Sequence, residues 1–525
     1  MKSKFFLFSL VIVMCVVFSL SVFASNNVLR MPHSVDPKTL DPTLVWGTAD
    51  STIVDTLFLP LIRFDFNTLE AVPCLATSWE VSDDNLVWTF HLRKDAKWTD
   101  GKPVTAHDIE YGAKRIIDPA TAARAASFLT IIKNAKEVNT GKSNDLSSVG
   151  IKAVDDYTIQ YTLEHPAAYF LSLIACVNTA VPSWVIEKYG DKWALPENIV
   201  TNGAYKLKSL AHYNEIVMVK NEDYFDADKV QIEEVRFIYI VDESTTLSMY
   251  ETGDLDFCSL PPVDIERIKS DPILSKEYHN GPRAVLAETQ INSEYPPFDN
   301  PLVRKAFAAA IDKETLVKYV LKGGQIPAYT VVPPGCFGHV EEGIGIPFDP
   351  EAAKKYLADA GYPGGKGLPE VSYTFVPSDV NRNVAQALQK MWKDNLGVNV
   401  KLKSMEDRTY TSSIDEGAHQ MWRMGWGADY PDAHNFFLAF HSEYGEGRLR
   451  WKNNEWDKLV EEAAAVADPE KRKALYRRVE KIIVEEDCAL IPMYYYAYNI
   501  LAKPYLSFTY PSDSVFLIEN WKIEK

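Results

Sequence analysis

Cysteine is scarce in this 525-residue chain: there are six, far apart, with no C-x-x-C among them. Neither a redox dithiol nor a finger-type zinc site is spelled out. Signatures of catalysis are missing as well. The chain has no G-x-S-x-G elbow, no H-E-x-x-H and no phosphate-cradling G-x-x-x-x-G-K-[ST]. Its ten His are scattered. The nearest pair, His434 and His441 near Asp432, lacks a compact ligand spacing and reads as surface or capping chemistry. Gly343-Ile344-Gly345 and Gly364-Gly365-Lys366-Gly367 read as turns, and Asp83-Asp84 and Asp155-Asp156 as solvated turn ends. A carboxylate pair assembled from distant positions stays open. No metal or cofactor is expected. Positive charge is also in deficit, with 55 Lys and Arg against 72 Asp and Glu, a formal charge of −17. That excludes nucleic acid as a partner and favours a soluble, monomeric surface. Beyond the first residues, no apolar run is long enough to span a bilayer.

What is present begins with a leader. Lys2 and Lys4 precede an almost unbroken apolar run, Phe5–Val22, closed by Val22-Phe23-Ala24 and then polar Ser25-Asn26-Asn27. That pattern is a cleavable secretory signal peptide over 1–24. Cys15 sits inside the run, where a lipid-attachment cysteine does not belong. The mature protein is therefore expected to be released into a periplasm, not lipid-anchored. Cleavage takes the formal charge from −17 to −19. It leaves Cys74, Cys176, Cys258, Cys336 and Cys488, an odd set with no specified pairing, expected as isolated buried thiols.

The length predicts about three domains. Elements of both kinds alternate: the chain reads as mixed α/β without repeats or low-complexity linkers. Strands are expected at Leu86–Leu92, Ile151–Leu163, Lys206–Lys208, Glu215–Lys220, Val235–Val241 and Val398–Leu402. A capping box at Thr105–Asp108 opens a helix to about Ile117, which Asp118-Pro119 stops. Further helices are expected at Ser244–Glu251 with Gly253 as cap, at Leu302–Ile311, and at Asp312–Lys322 ended by Gly323-Gly324. Others are expected from Pro350 to before Gly361, at Asn383–Asn395 capped by Gly397, and as a pair over Glu455–Ala467 and Pro469–Glu486.

Met421–Phe437 concentrates chemistry: M-W-R-M-G-W-G-A-D-Y-P-D-A-H-N-F-F. Gly425 and Gly427 flank Trp426, so another chain can approach the backbone beside an indole. Arg423 and Asp429 offer one charge of each sign. Aromatic walls with a few placed charges suit a ligand pocket. An aromatic core strand ending in a turn at Tyr430-Pro431-Asp432 fits the same residues.

Several stretches together carry a resemblance. They are P-C-L-A-T-S-W-E-V at 73–81 running on through K-W-T-D-G-K-P-V-T-A-H-D-I at 97–109, E-K-Y-G-D-K-W at 187–193, and N-I-V-T-N-G-A-Y-K-L at 198–207. N-P-L-V-R-K-A-F-A-A-A-I-D at 300–312, G-W-G-A-D-Y at 425–430 and I-P-M-Y-Y-Y at 491–496 complete them. In this order, from about residue 30 to the C-terminus, they resemble the solute-binding proteins of peptide ABC transporters. The resemblance implies an α/β, two-lobed periplasmic-binding-protein fold with a hinge and an extra inserted domain, three domains in all. The first lobe would take about 25–58, 183–284 and 497–525, the inserted domain 59–182 and the second lobe 285–496.

It also implies function: a periplasmic receptor, not an enzyme, that captures peptides in a closing cleft and delivers them to a membrane permease. Asp429 would meet the peptide α-ammonium and Arg423 its carboxylate. Gly425 and Trp426 would give close approach and a wall, and Tyr494 and Tyr496 would be pocket tyrosines. The peptide backbone would be held as an added strand. Departures fall on the side-chain pockets and the far end. Gly427, with Val285 near its partner's place, replaces a disulfide. Asn381 stands for a pocket His, Asp407 for a pocket Trp, and Trp46 and Thr48 for an acid and a Val. The same fold holding a non-peptide solute, such as an oligosaccharide or nickel complex, is the alternative, and a periplasmic enzyme on this scaffold a lesser one.

Overall fold

The structure, a computed structural model, describes residues 27–524 except 46–47, 66–67, 178, 342, 444 and 511–515. The leader 1–24 lies outside the described residues.

Three sheets organise the chain. In the first, Val28–His33 is the edge strand and runs parallel to Glu234–Tyr239, followed by antiparallel Glu215–Lys220 and Tyr205–Ala211. Its period-two pattern buries Leu29, Met31 and His33. The second sheet is antiparallel, in the order Ala76–Val81, Val87–Leu92, Thr158–Thr162, Ile151–Asp155. The helix Ala106–Ile117 packs on it, opened as the sequence implies by Asp108, whose carboxylate accepts the Thr105 backbone N–H at 2.8 Å.

The third sheet has seven strands. Phe257–Ser259, Leu490–Ala502, Tyr278–Ile291, Met421–Gly427, Val371–Phe375 and Val400–Ser404 stand side by side in that order, with Ile326–Pro327 beside Leu490–Ala502. Two of these strands are long, Tyr278–Ile291 with 14 residues and Leu490–Ala502 with 13. At about 3.4 Å per residue they make an antiparallel ribbon about 40 Å long. Its ladder shifts register between Pro282 and Leu286. Proline has no N–H for a ladder, so a break is expected there. One end of the ribbon adjoins Phe257–Ser259; the other belongs to the sheet of the second lobe.

Burial follows the sheets. One apolar core runs from Leu29 through Phe58, Phe90, Phe170 and Phe237 to Trp521. The 59–182 stretch has its own sheet yet shares this core with the first lobe. The second lobe buries both faces of its sheet. Leu286, Trp422 and Tyr495 enter one core, and their strand neighbours Ala287, Met421 and Tyr494 enter the other.

Most expected elements are present, with corrections at their ends. Ile151–Leu163 is not one strand but a hairpin, because Asp155 accepts the Tyr157 N–H at 2.8 Å and turns the chain. The helix expected from Asn383 begins at Asp379, since Ser378 caps it by accepting the Asn381 N–H at 3.1 Å. The helix after Asp312 loosens into a π-helical turn over Leu316–Leu321. It ends on Lys322 in the left-handed region (φ 58°), one residue before the expected glycines. The strand placed at Val398 starts at Val400. Where glycine geometry sets the end, sequence and structure agree: Gly253 and Gly397 cap their helices at φ 86° and 74°.

His434 and His441 are corrected too. Both are buried, not surface groups. The His434 ring stacks on Tyr169 with centroids 3.7 Å apart, and burial pushes its pKa down to about 3. No cluster of metal-ligating residues exists among the described residues. None of the five described cysteines is in a disulfide, and four of them are buried. No helix of the described residues is long and apolar enough to cross a membrane.

Candidate functional site

Met421–Gly427 forms a strand because alternate residues serve both cores: Trp422, Met424 and Trp426 pack on one and Met421 on the other, while Gly425 and Gly427 are exposed. Along its whole length it pairs with Val285–Ile291. On its other side only Met421 and Trp422 are paired, to Tyr373 and Thr374. Beyond Trp422 no strand flanks that edge among the described residues. An unpaired edge exposes backbone donors and acceptors to an incoming extended chain. Gly425 lets the two paired strands lie close, since a Cβ there would lie 3.1 Å from the Leu286 carbonyl oxygen. Val28–His33, the edge of the first sheet, runs into the same region at Met31–Ser34.

A cavity of about 1040 Å³ opens between the lobes. Met31, His33 and Phe257 face it from one side, and Asn381, Arg423, Tyr494 and Tyr496 from the other. It is large enough for a ligand of several residues. Arg423 is half-buried, and one terminal nitrogen donates to the Tyr494 and Tyr496 hydroxyls at 2.7 and 2.6 Å. Burial works against its charge, but the surrounding tyrosine oxygens outweigh that and hold its pKa above the ordinary arginine value. No carboxylate pairs with it among the described residues. Two tyrosines thus orient a guanidinium whose remaining N–H groups are left for a ligand.

The other charge has the opposite setting. Asp429 comes just after the strand and does not line the cavity, nor do Gly425 and Trp426. Its carboxylate accepts one hydrogen bond, from the Asn435 side-chain amide at 3.0 Å. The Asn435 oxygen in turn accepts the Trp426 indole N–H (3.0 Å) and the Asp429 backbone N–H (3.1 Å). Two donors on that oxygen leave the amide only one orientation, with its NH₂ toward Asp429. Burial raises the Asp429 pKa, and the Asn435 bond offsets part of the rise. No cation pairs with it among the described residues. Its neighbour Asp432 differs on this point: Arg472 meets it with two bonds of 2.7 Å, both side chains buried, and it caps the helix Ala433–Leu438. Of two acids three residues apart, one buried and one half-buried, the fold neutralises the buried one.

The loop that carries Asp429 is also clamped from outside. Tyr430 meets Phe128 and Tyr169 with ring centroids 6.1 and 6.0 Å apart, and the Ala168 N–H bonds to the Ala464 carbonyl at 2.8 Å. The 59–182 stretch thus packs directly on the loop that carries Asp429.

The structure places the remaining expected residues unevenly. Asn381 lines the cavity, where its amide donates to the Val376 carbonyl at 2.8 Å. Asp407 is exposed in the first turn of a helix, away from the cavity. Thr48 begins the helix Thr48–Leu57. Trp46 and the Thr48 side chain lie outside the described residues. Val285 stands directly opposite Gly427 in the ladder, so these two positions do face each other. Two site residues escape sequence reasoning. Asn435 carries no local signal, because its role depends on the loop folding back. Arg283 has one, since Gly281-Pro282 inside a strand marks a bulge that re-aims the next side chain.

Residues 70–448 match the family model for bacterial extracellular solute-binding proteins, family 5. The chain belongs to this family. This family 5 protein is 35% identical over 498 residues to the periplasmic oligopeptide-binding protein OppA of Escherichia coli (strain K12), covering 92% of this chain and 90% of that one. The unliganded open form of MppA, a periplasmic murein tripeptide binding protein, matches it with TM-score 0.83 at 31% identity, over 95% of this chain and 98% of that chain. Haemophilus influenzae OppA in complex with RPPGFSPFR matches with TM-score 0.76 at 32% identity, over 96% and 100%. At nearly equal identity, the open unliganded relative is the better overlay. Family 5 proteins bind solutes and are not enzymes.

Proposed function

We propose that this protein is a periplasmic receptor that captures a short peptide between its lobes and delivers it to the permease of an ABC importer. The observation that carries this reading is the pair of uncompensated charges six residues apart, Arg423 and Asp429, flanking an unpaired strand edge. A peptide zwitterion has an ammonium for one, a carboxylate for the other and a backbone for the edge between them. A neutral sugar has a partner for neither charge. Six residues of chain span at most about 20 Å, room for a ligand of a few residues. The ligands that OppA and MppA are named for, oligopeptides and a murein tripeptide, support the same class. Removal of the leader 1–24 would release the receptor into the periplasm.

In this reading 25–58, 183–284 and 497–525 form one lobe, 59–182 the inserted domain and 285–496 the second lobe. The register break at Pro282–Leu286, where the ladder of the ribbon is interrupted, supports a hinge at that point. A ligand that gains contacts on both lobes only when the cleft shuts shifts the population toward the closed form. The test is native mass spectrometry of the mature protein, unfolded, stripped of ligand, refolded and offered a mixed tripeptide library. Retained masses matching tripeptides are expected. A protein that stays empty while binding an uncharged sugar under the same conditions would overturn the reading.

A further inference from the structure

Arg283 is not used by the contacts described so far. It sits in the register break of the long ribbon, between Pro282 and Leu286, where residues leave the ladder with Leu490–Ala502. A bulge turns its side chain out of the regular alternation, and Arg283 lines the cavity. Its Nε is shielded from solvent and donates to no protein group. Its guanidinium carbon lies 5.3 Å from the centroid of the Tyr498 ring.

That tyrosine extends a stripe. Tyr494, Tyr496 and Tyr498 alternate along one strand, and all three line the cavity. Arg423 is held by the first two hydroxyls and Arg283 lies over the third ring. Two residues of strand advance about 7 Å, so the two guanidiniums succeed one another along the same wall.

The other charged groups on the cavity wall are already matched: Glu266 has Lys322 at 4.0 Å and Asp379 has Arg382 at 2.8 Å. Burial lowers the His33 pKa and disfavours its charged form. Arg283 and Arg423 are the guanidiniums of this wall without a carboxylate among the described residues. The cavity of a strongly acidic protein therefore carries two cations, where a simple peptide has one terminal carboxylate to offer.

We propose that Arg283 binds a second carboxylate of the ligand, so that the receptor selects peptides whose C-terminal residue is acidic. The main-chain carboxylate goes to Arg423 and the side-chain carboxylate to Arg283. This rests on the peptide reading above and names its substrate class. A side-chain carboxylate exchanged for an amide keeps shape and loses charge. It should therefore cost the charge-assisted part of the contact, about tenfold or more in affinity.

Calorimetric titration of Ala-Ala-Glu, Ala-Ala-Gln and their tetrapeptide counterparts tests it, on the unchanged protein and on Arg283→Gln and Arg283→Lys. The unchanged protein should prefer Glu over Gln about tenfold or more. Arg283→Gln should remove that preference, so that Glu and Gln peptides bind with equal affinity. Arg283→Lys keeps the charge without the fork and should keep part of the preference. Equal affinity for acid and amide peptides, or a preference that survives Arg283→Gln, would overturn this proposal and leave the peptide reading standing. Failure of every peptide to bind the unchanged protein would overturn both.

Discussion

Asp429 and Arg423 lie six residues apart, and their surroundings differ in almost every respect. Arg423 lies on a regular strand, faces the open cavity and is oriented by two tyrosine hydroxyls. Asp429 lies on the loop just after it, outside the cavity wall, oriented by one asparagine that is itself fixed by Trp426. The loop is held by rings of the 59–182 stretch, through Tyr169 on Tyr430 and His434. One end is thus held on a loop packed by a second stretch of the chain, while the other faces the cavity, and both side chains are half-buried. A preorganised carboxylate loses little freedom on binding and can be strict about an ammonium. An open guanidinium among tyrosines tolerates ligands that end at different depths. The comparison predicts unequal consequences when either end is damaged.

The largest loss belongs to the amine end. Asp429→Ala should cost about 3–5 kcal/mol for a free tripeptide, the penalty for stranding one partner of a buried ion pair, or roughly 10²–10³ in affinity. Arg423→Gln should cost less, about 10- to 100-fold, because the glutamine amide still donates to a ligand carboxylate and only the charge is lost. Titration calorimetry reads both, and equal losses would erase the distinction between the two ends.

A smaller effect comes with pH. Burial raises the Asp429 pKa in the empty site, whereas a bound ammonium would depress it. Binding therefore favours the deprotonated form. Affinity should fall as pH drops through the raised, empty-state value, by up to about tenfold per pH unit. Asp429→Asn should show a flatter profile over the same range. A decline of equal steepness in that variant would assign the titration to another group.

The smallest effect is on the empty protein. A carboxylate whose folded pKa lies above its unfolded value contributes stability below the unfolded pKa and loses it as pH rises through the folded one. Ionised Asp429 is then a burden near neutrality that Asp429→Asn removes, and unfolding at about pH 8 should move up by about 2 °C. Glu288 has the same sign. Buried beside Gln290 at 2.6 Å, its pKa is pushed up to about 7, so its protonated form supports the fold below that pH. A lower midpoint for Asp429→Asn would show that the carboxylate holds its loop in place.

Much of the framework was legible because its signals are local. Pro350, Gly253 and Gly397 act through their own backbone geometry, and the Thr105–Asp108 box through four adjacent residues. The period-two alternation at Leu86–Leu92 needs no more than its own residues either. The start of the helix at Asp379 was missed because its cap, Ser378, precedes the amphipathic pattern that marks the helix. The candidate site was legible in part. Arg423 and Asp429 stand out as opposite charges beside glycines and aromatics. Which acid would be left unpaired was not legible, because Arg472 lies forty residues past Asp432 and reaches it only in the folded lobe. Nor could the sequence show that His434 is buried under Tyr169, since that contact joins stretches far apart in the chain.

The most direct measurement is a four-way titration: unchanged protein and Asp429→Asn, each with a free tripeptide and with its N-acetylated form. Acetylation leaves Asp429 without a cation, and the substitution leaves the ammonium without its anion. Each should therefore weaken binding strongly, while the two together should cost much less than their sum, with a coupling energy of about 2 kcal/mol or more. If free and acetylated peptides bind the unchanged protein equally well, Asp429 is not the amine anchor, and the peptide receptor loses its central contact.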